Sequence, residues 1–252
     1  MESVSLDALV AADSTTATTT PDRPQNTLLP TLGLPTDKLA GKGVGIAVID
    51  SGLQPSKEFS GVLQYFYDFT TGQTTPYDDY GHGTHVTGLI SSSGVLSNGT
   101  YQGIAPKARI ISLKVLDANG TGQTSTVIQA IEFAVTNKSR LGIDIINLSL
   151  GHPSLEPPER DPLVRAVEGA VRAGIVVVVS AGNSGKDDAT GLPAYGTINS
   201  PGTAPSAITI GAVDTKNTTT RADDTIPSFS SHGPTIDGRM KPDLVAPGHK
   251  LV

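Results

Sequence analysis

The feature that most constrains this chain is a series of short apolar runs: VGIAVID (44–50), ARIISLKVLD (108–117), IDIINLSLG (143–151), GIVVVVSAG (174–182) and AITIGAVD (207–214). They are rich in β-branched residues and lack polar alternation, the pattern of strands buried on both faces. Helical patterns lie between them. TSTVIQAIEFAVTNK (124–138) sets Val127, Ile131 and Ala134 at helical spacing. DPLVRAVEGAVRAG (161–174) opens on Asp161 as N-cap with Pro162 in the first turn, and Gly174 suits its stop. Strand and helix in alternation predict an α/β fold of three layers, a mostly parallel β-sheet with helices on both faces and right-handed crossovers.

Composition excludes several functions. Charged residues make up 17% of the 252 residues, below the ~25% usual in globular domains. The net charge of −6 is spread out, with no basic run to track phosphates, so nucleic acid is not an expected partner. With no cysteine there is no disulfide, thiolate nucleophile or Cys-bound metal. No run approaches the ~20 apolar residues of a membrane span, and Met1-Glu2-Ser3-Val4 lacks the basic and apolar regions of a signal peptide. Residues 11–30, rich in Ser, Thr and Pro, read as a linker or loose arm. The expected division is an arm over 1–37 and one domain over 38–252. The glycines of Gly41-Lys42-Gly43-Val44-Gly45 precede a strand rather than follow it, against a dinucleotide site.

In open parallel sheets, ligands gather at the carboxyl ends of strands. Asp50 closes VGIAVID, Asn183 follows GIVVVVSAG, and Gly81-His82-Gly83-Thr84-His85-Val86-Thr87-Gly88 opens a short helix. Taken singly, each has an ordinary reading: a turn former, a loop, an exposed histidine. A metal hydrolase built on His82, His85, Asp50 and Asp78 or Asp79 is a second possibility. It is disfavoured because zinc-binding helices space their histidines i, i+4 around a glutamate, and here the spacing is i, i+3.

AVIDSG, HGTHVTG and SAGN, in that order, resemble the aspartate, histidine and oxyanion-hole motifs of the subtilases, a family of serine proteases. Gly103-Ile104-Ala105-Pro106, Asn147-Leu148-Ser149-Leu150-Gly151 and Lys241-Pro242-Asp243-Leu244-Val245-Ala246-Pro247-Gly248 match further landmarks, so the resemblance covers residues 38–252. It implies an endopeptidase in which Asp50 orients and stabilises His82, His82 is the base for a serine, and Asn183 donates to the oxyanion. His85 then has a structural role. The resemblance also implies that Ser149, Leu150 and Gly151 pair with the substrate backbone opposite Gly120, Thr121 and Gly122, as in strand addition. Ser180 and Gly182 would line the first specificity pocket, beside a cis Ser200–Pro201 bond.

In subtilases the serine follows the Ala-Pro-Gly landmark, here 246–248, in a Gly-Thr-Ser motif, and no such triplet occurs among these residues. Ser228, Ser230 and Ser231 precede that landmark and resemble a structural FSSxGP segment. The chain is therefore expected to be inactive alone, with a C-terminal complementary segment carrying the serine as a partner beside polypeptide substrates. The alternatives are a non-catalytic peptide-binding module or one half of a two-chain protease. The chemistry requires no cofactor. Structural calcium is compatible with the family, but Asp78/Asp79, Asp187/Asp188 and Asp223/Asp224 fit no ligand loop and read as solvated charges. The family further implies a secreted, extracellular protein.

Overall fold

The computed structural model describes residues 5, 7–13, 28–34, 40–249 and 251. The expected boundary at 37–38 lies outside them. In chain order the elements are β1 (Leu9–Ala12), α1 (Leu28–Leu32), β2 (Gly45–Asp50), β3 (Leu63–Asp68), α2 (His82–Ser91), β4 (Arg109–Lys114), β5 (Thr121–Gln123), α3 (Thr124–Thr136), α4 (Lys138–Leu141), β6 (Ile145–Leu148), β7 (Leu150–Gly151), α5 (Pro162–Arg172), β8 (Val176–Ser180), β9 (Ile208–Val213) and β10 (Leu244–Pro247). Seven strands form one sheet in the order β10-β9-β8-β6-β2-β4-β3, and every neighbouring pair is parallel. This is the expected α/β architecture. Strand β3 escaped the sequence reading because LQYFYD alternates, as suits an edge strand.

The sheet separates two apolar clusters. Ala47 and Ile49 of β2 face α3 and α5, where Val127, Ala130, Ile131, Ala134, Leu163, Val164, Val167 and Ala170 are buried. Ile46 and Val48, pointing the other way, meet Leu53, Phe59 and the α2 residues Val86 and Ile90. Asp161 caps α5, accepting from Leu163 N at 2.9 Å and Val164 N at 3.3 Å, with Pro162 next. Gly174 follows the helix with φ +79°.

Burial on both faces holds for β2 and nearly all of β4 but not for the other half of the sheet. Strands β8 and β9 bury alternate residues only. Val176, Ile208 and Leu244, at 47%, 38% and 51% exposure, line the open face. The difference is one of cover: α2 crosses only the β2–β4 half of this face, and among the described residues no helix lies over the same face of β8, β9 and β10, α5 packing on the opposite one. The Ser200–Pro201 bond is cis as expected, and Gly233–Pro234 and Lys241–Pro242 are also cis.

The two faces should respond differently to truncation. Ile146→Ala, at a fully buried site, is expected to lower stability by about 2–5 kcal/mol. Ile208→Ala should stay within about 1 kcal/mol, because that side chain already meets water. Urea unfolding midpoints at unchanged slope measure both.

Candidate active site

Asp50 ends β2 and is 1% exposed, while His82 begins α2. Asp50 Oδ1 lies 2.8 Å from His82 Nδ1 and accepts from Ser51 N at 2.7 Å. With Nδ1 engaged by the carboxylate, Nε2 is left for another proton partner. Gly83 permits the approach: a Cβ there would stand 2.3 Å from Gly52 O and 3.2 Å from Asp50 Cβ. The histidine motif's glycine is thus a steric requirement for placing the ring on the carboxylate. His85, one turn further along α2, is exposed.

Two residues hold this corner to which the sequence reading gave no part in it, Asp78 being read as a solvated charge and Lys114 not singled out. Asp78 Oδ1 accepts from Ser51 Oγ at 2.9 Å and Gly81 N at 2.8 Å, and Oδ2 accepts from Thr84 N at 2.8 Å and Thr84 Oγ1 at 2.5 Å. Far from a solvated loop charge, Asp78 satisfies an orphan donor of α2, whose own N-cap is a glycine with no side-chain bond. Lys114, opposite Asp50 in the β2–β4 register, is 1% exposed. Its Nζ donates to Ser51 O at 2.7 Å, Leu116 O at 2.6 Å and Asp79 Oδ1 at 2.7 Å. The sequence signal was a lysine inside a buried strand, which demands partners.

The residues expected to bind substrate form a groove, and the chain's own N-terminal segment lies in it. Strand β1 runs antiparallel between β5 and β7. Ala12 N donates to Gly120 O at 3.0 Å and Asp13 N to Ser149 O at 3.1 Å. Val10 pairs with Gly122, Ala11 with Thr121 and Gly151, and Ala12 with Leu150. The Val10 side chain is fully buried. Asp7 accepts from Ser125 N at 2.8 Å and Ser125 Oγ at 2.6 Å, placing a carboxylate at the N-terminus of α3. Residues 11–13 are therefore not the loose linker that composition predicts, because LVAA is apolar enough to be held once two strand edges flank it. Gly120, with φ +73°, also makes room for Tyr80, whose ring would lie 2.4 Å from a Cβ there. That ring is tilted against His82.

Ser180 Oγ donates to Asp13 Oδ2, so Ser180 touches the Asp13 side chain of the arm. Gly182 serves a different need: a Cβ there would meet the Asn199 side chain at 2.7 Å and Ser231 Oγ at 3.0 Å. Asn183, half-buried, follows β8 at the same carboxyl edge as Asp50. The other acidic pairs do local work. Asp187 accepts from Ala189 N and Thr190 N, and Asp223 from Thr218 Oγ1. Among the described residues no three His, Asp or Glu side chains are grouped to hold a metal, and Asp78 already accepts from several donors.

Electrostatics couple the arm to the site. Burial disfavours a charged His82, but the Asp50 hydrogen bond and charge outweigh it, and the Asp13 charge and main-chain carbonyl add to them, so the ring titrates above its ordinary value. Desolvation pushes the Asp13 carboxyl up. The Ser180 bond and the His82 charge offset this only in part, and the Asp50 charge adds to it.

The Subtilase family profile matches residues 41–251. Serine protease AprX of Bacillus subtilis (strain 168) is 45% identical over 219 residues, covering 85% of this chain and 48% of that protein. Subtilisin E of the same organism is 39% identical over 213 residues, covering 82% and 47%. The chain thus spans about half the length of these relatives. A crystal structure of a cold adapted subtilisin-like serine proteinase superposes with a TM-score of 0.63 at 30% identity, over 91% of this chain and 72% of the other. A psychrophilic protease gives 0.67 at 30% identity, over 82% and 67%. A match running from Gly41 to Leu251, through all seven strands of the sheet and the corner where Asp50 meets His82, shows that this chain belongs to the subtilase family.

Proposed function

We propose that this chain carries the base, its orienting carboxylate and the oxyanion donor of a subtilisin-type serine endopeptidase. The nucleophilic serine belongs to a segment beyond Val252, continuous with it or supplied as a second chain. The observation that carries the reading is the seating of β1: an extended peptide, hydrogen-bonded on both sides, with its Asp13 carbonyl against the His82 ring. A groove that takes a peptide through main-chain bonds and delivers a carbonyl to a histidine is suited to amide hydrolysis.

In the proposed reaction His82 Nε2 takes the serine proton as the oxygen attacks the carbonyl carbon. Asp50 holds the ring in the tautomer that leaves Nε2 free and stabilises the imidazolium. Asn183 donates its amide to the oxyanion, and His82 then passes its proton to the leaving amine. No step needs a cofactor. The open apolar face over β8, β9 and β10 supports the second segment, because it is the surface such a segment would cover. An extracellular setting is part of the same proposal. Among the described residues no helix is long and apolar enough to cross a membrane.

This chain alone should neither hydrolyse a peptide ester at a protease-like rate nor be labelled by a fluorophosphonate, which needs an activated serine. Extension through a Gly-Thr-Ser segment, or addition of that segment, should restore both. In the restored protein His82→Ala should lower kcat by about 10⁶-fold, the size known for subtilisin itself, and Asn183→Ala by about 10²–10³-fold. A restored protein that binds peptides and never labels would be a peptide-binding module instead.

The arm occupies the groove, so it should compete with added peptide. Val10→Asp places a charge at a fully buried site and should expel the arm, strengthening the binding of a fluorescent extended peptide at least about tenfold. The wild-type competition should also weaken with rising pH. Docking raises the Asp13 carboxyl above its ordinary 3.8 and contributes to raising His82 above 6.5, so the docked arm binds protons. Its advantage is complete below the free-arm values and is lost as pH climbs through the docked ones. Peptide affinity measured from pH 4 upward should therefore rise in wild type more than in Asp13→Asn.

A further inference from the structure

Asp50 and His82 come from separate elements, a strand end and a helix start, and their relative position is set by whatever joins the loop after β2 to the turn before α2. That joint centres on one carboxylate and one hydroxyl. We propose that Asp78 is a positioning residue for the Asp50–His82 pair, acting through Ser51 and the first turn of α2.

The route is short. Ser51 is fully buried and touches both members of the pair's surroundings. Its N–H donates to Asp50 Oδ1 at 2.7 Å, and its Oγ accepts from Gly83 N, the residue after His82, at 2.8 Å. That leaves the hydroxyl one proton to give, and Asp78 Oδ1 takes it at 2.9 Å. The same carboxylate takes Gly81 N, just before His82, and both donors of Thr84. Thr84 Oγ1 in turn accepts from Gln54 N at 2.9 Å, while Gly52 and Asp78 form a backbone bridge. His82 is thus held from the residues on either side by bonds that converge on Asp78.

Asp50 needs this control. Its Oδ1 receives both Ser51 N and His82 Nδ1, and its buried Oδ2 meets no donor among the described residues. Among the described residues, Ser51 is the one hydrogen-bond partner besides His82 that orients the carboxylate, and Asp78 together with Lys114 fixes Ser51. The carboxyl of Asp78 is desolvated, which opposes ionisation. Its bonds from Thr84, Gly81 and Ser51 outweigh that and hold it below the usual carboxylate value, so the acceptor stays charged at neutral pH.

The inference rests on the reading of His82 and Asp50 as base and orienter. Its readout is titration of the His82 ring in the full chain, not hydrolysis, so the two can fail separately. Ring signals of His82 would be followed by NMR against pH in wild type, Asp78→Asn, Ser51→Ala and the control Asp187→Asn. Asp78→Asn presents an amide N–H to donors and breaks the convergence. Ser51→Ala removes the relay without removing a charge, which separates positioning from the field of Asp78. Both variants should move the His82 midpoint down towards about 6.5 and weaken the downfield Nδ1 proton signal, while His232 and the Asp187→Asn control do not change. If Asp78→Asn does not fold, Ser51→Ala carries the test. Folded variants whose His82 midpoint and Nδ1 signal match wild type would overturn the proposal.

Discussion

The structure turns on bringing a carboxylate with almost no exposure to water, Asp50, into contact with the first residue of a helix. A buried charge is tolerated only where donors meet it, and here the donors are the Ser51 amide and the His82 ring. The need propagates outward. Helix α2 must come within touching distance of the turn after β2, which excludes a side chain at residue 83. The turn must hold its shape, which falls to Asp78 and to Lys114, itself a buried charge met by two carbonyls and a carboxylate. One corner of the sheet thus concentrates ionic groups that an apolar core would reject singly.

The groove next to that corner relies chiefly on backbone, with the buried Val10 side chain and the Asp7–Ser125 contact beside it. Strands β5 and β7 offer unpaired edges, and β1 fills them with main-chain bonds that any extended segment can make. What is particular to this chain is the acidic residue, Asp13, set against Ser180 and close to His82. Asp13 brings a carboxyl into a desolvated place already near the Asp50 charge, and proton binding relieves the conflict. Burial and the Asp50 charge thus act together on the Asp13 carboxyl at the point where the arm meets His82.

Much of this was legible in the residues. β-branched runs marked the strands because burial removes polar alternation, and Asp161, Pro162 and Gly174 marked α5 because caps and stops act locally. Asp50 and His82 were found by motif, a record of local chemistry. Asp78 and Lys114 were not, since Ser51, which both hold, lies on another loop, and a pair of aspartates in a polar stretch reads as solvated charge. The strand at Leu9–Ala12 was hidden for a related reason: four apolar residues beside a Ser/Thr tract have no periodicity to detect, and only flanking edges make them a strand.

By itself, then, the sequence determined the α/β alternation, the helix ends and the residue types of the site, because these depend on neighbours a few positions away. Tertiary structure alone decided which sheet face stays open, that the N-terminal segment fills the groove, and that Asp78 and Lys114 brace the corner. Each of those depends on contacts between segments far apart in the chain, where burial and hydrogen-bond partners are set by packing and leave no local pattern to read.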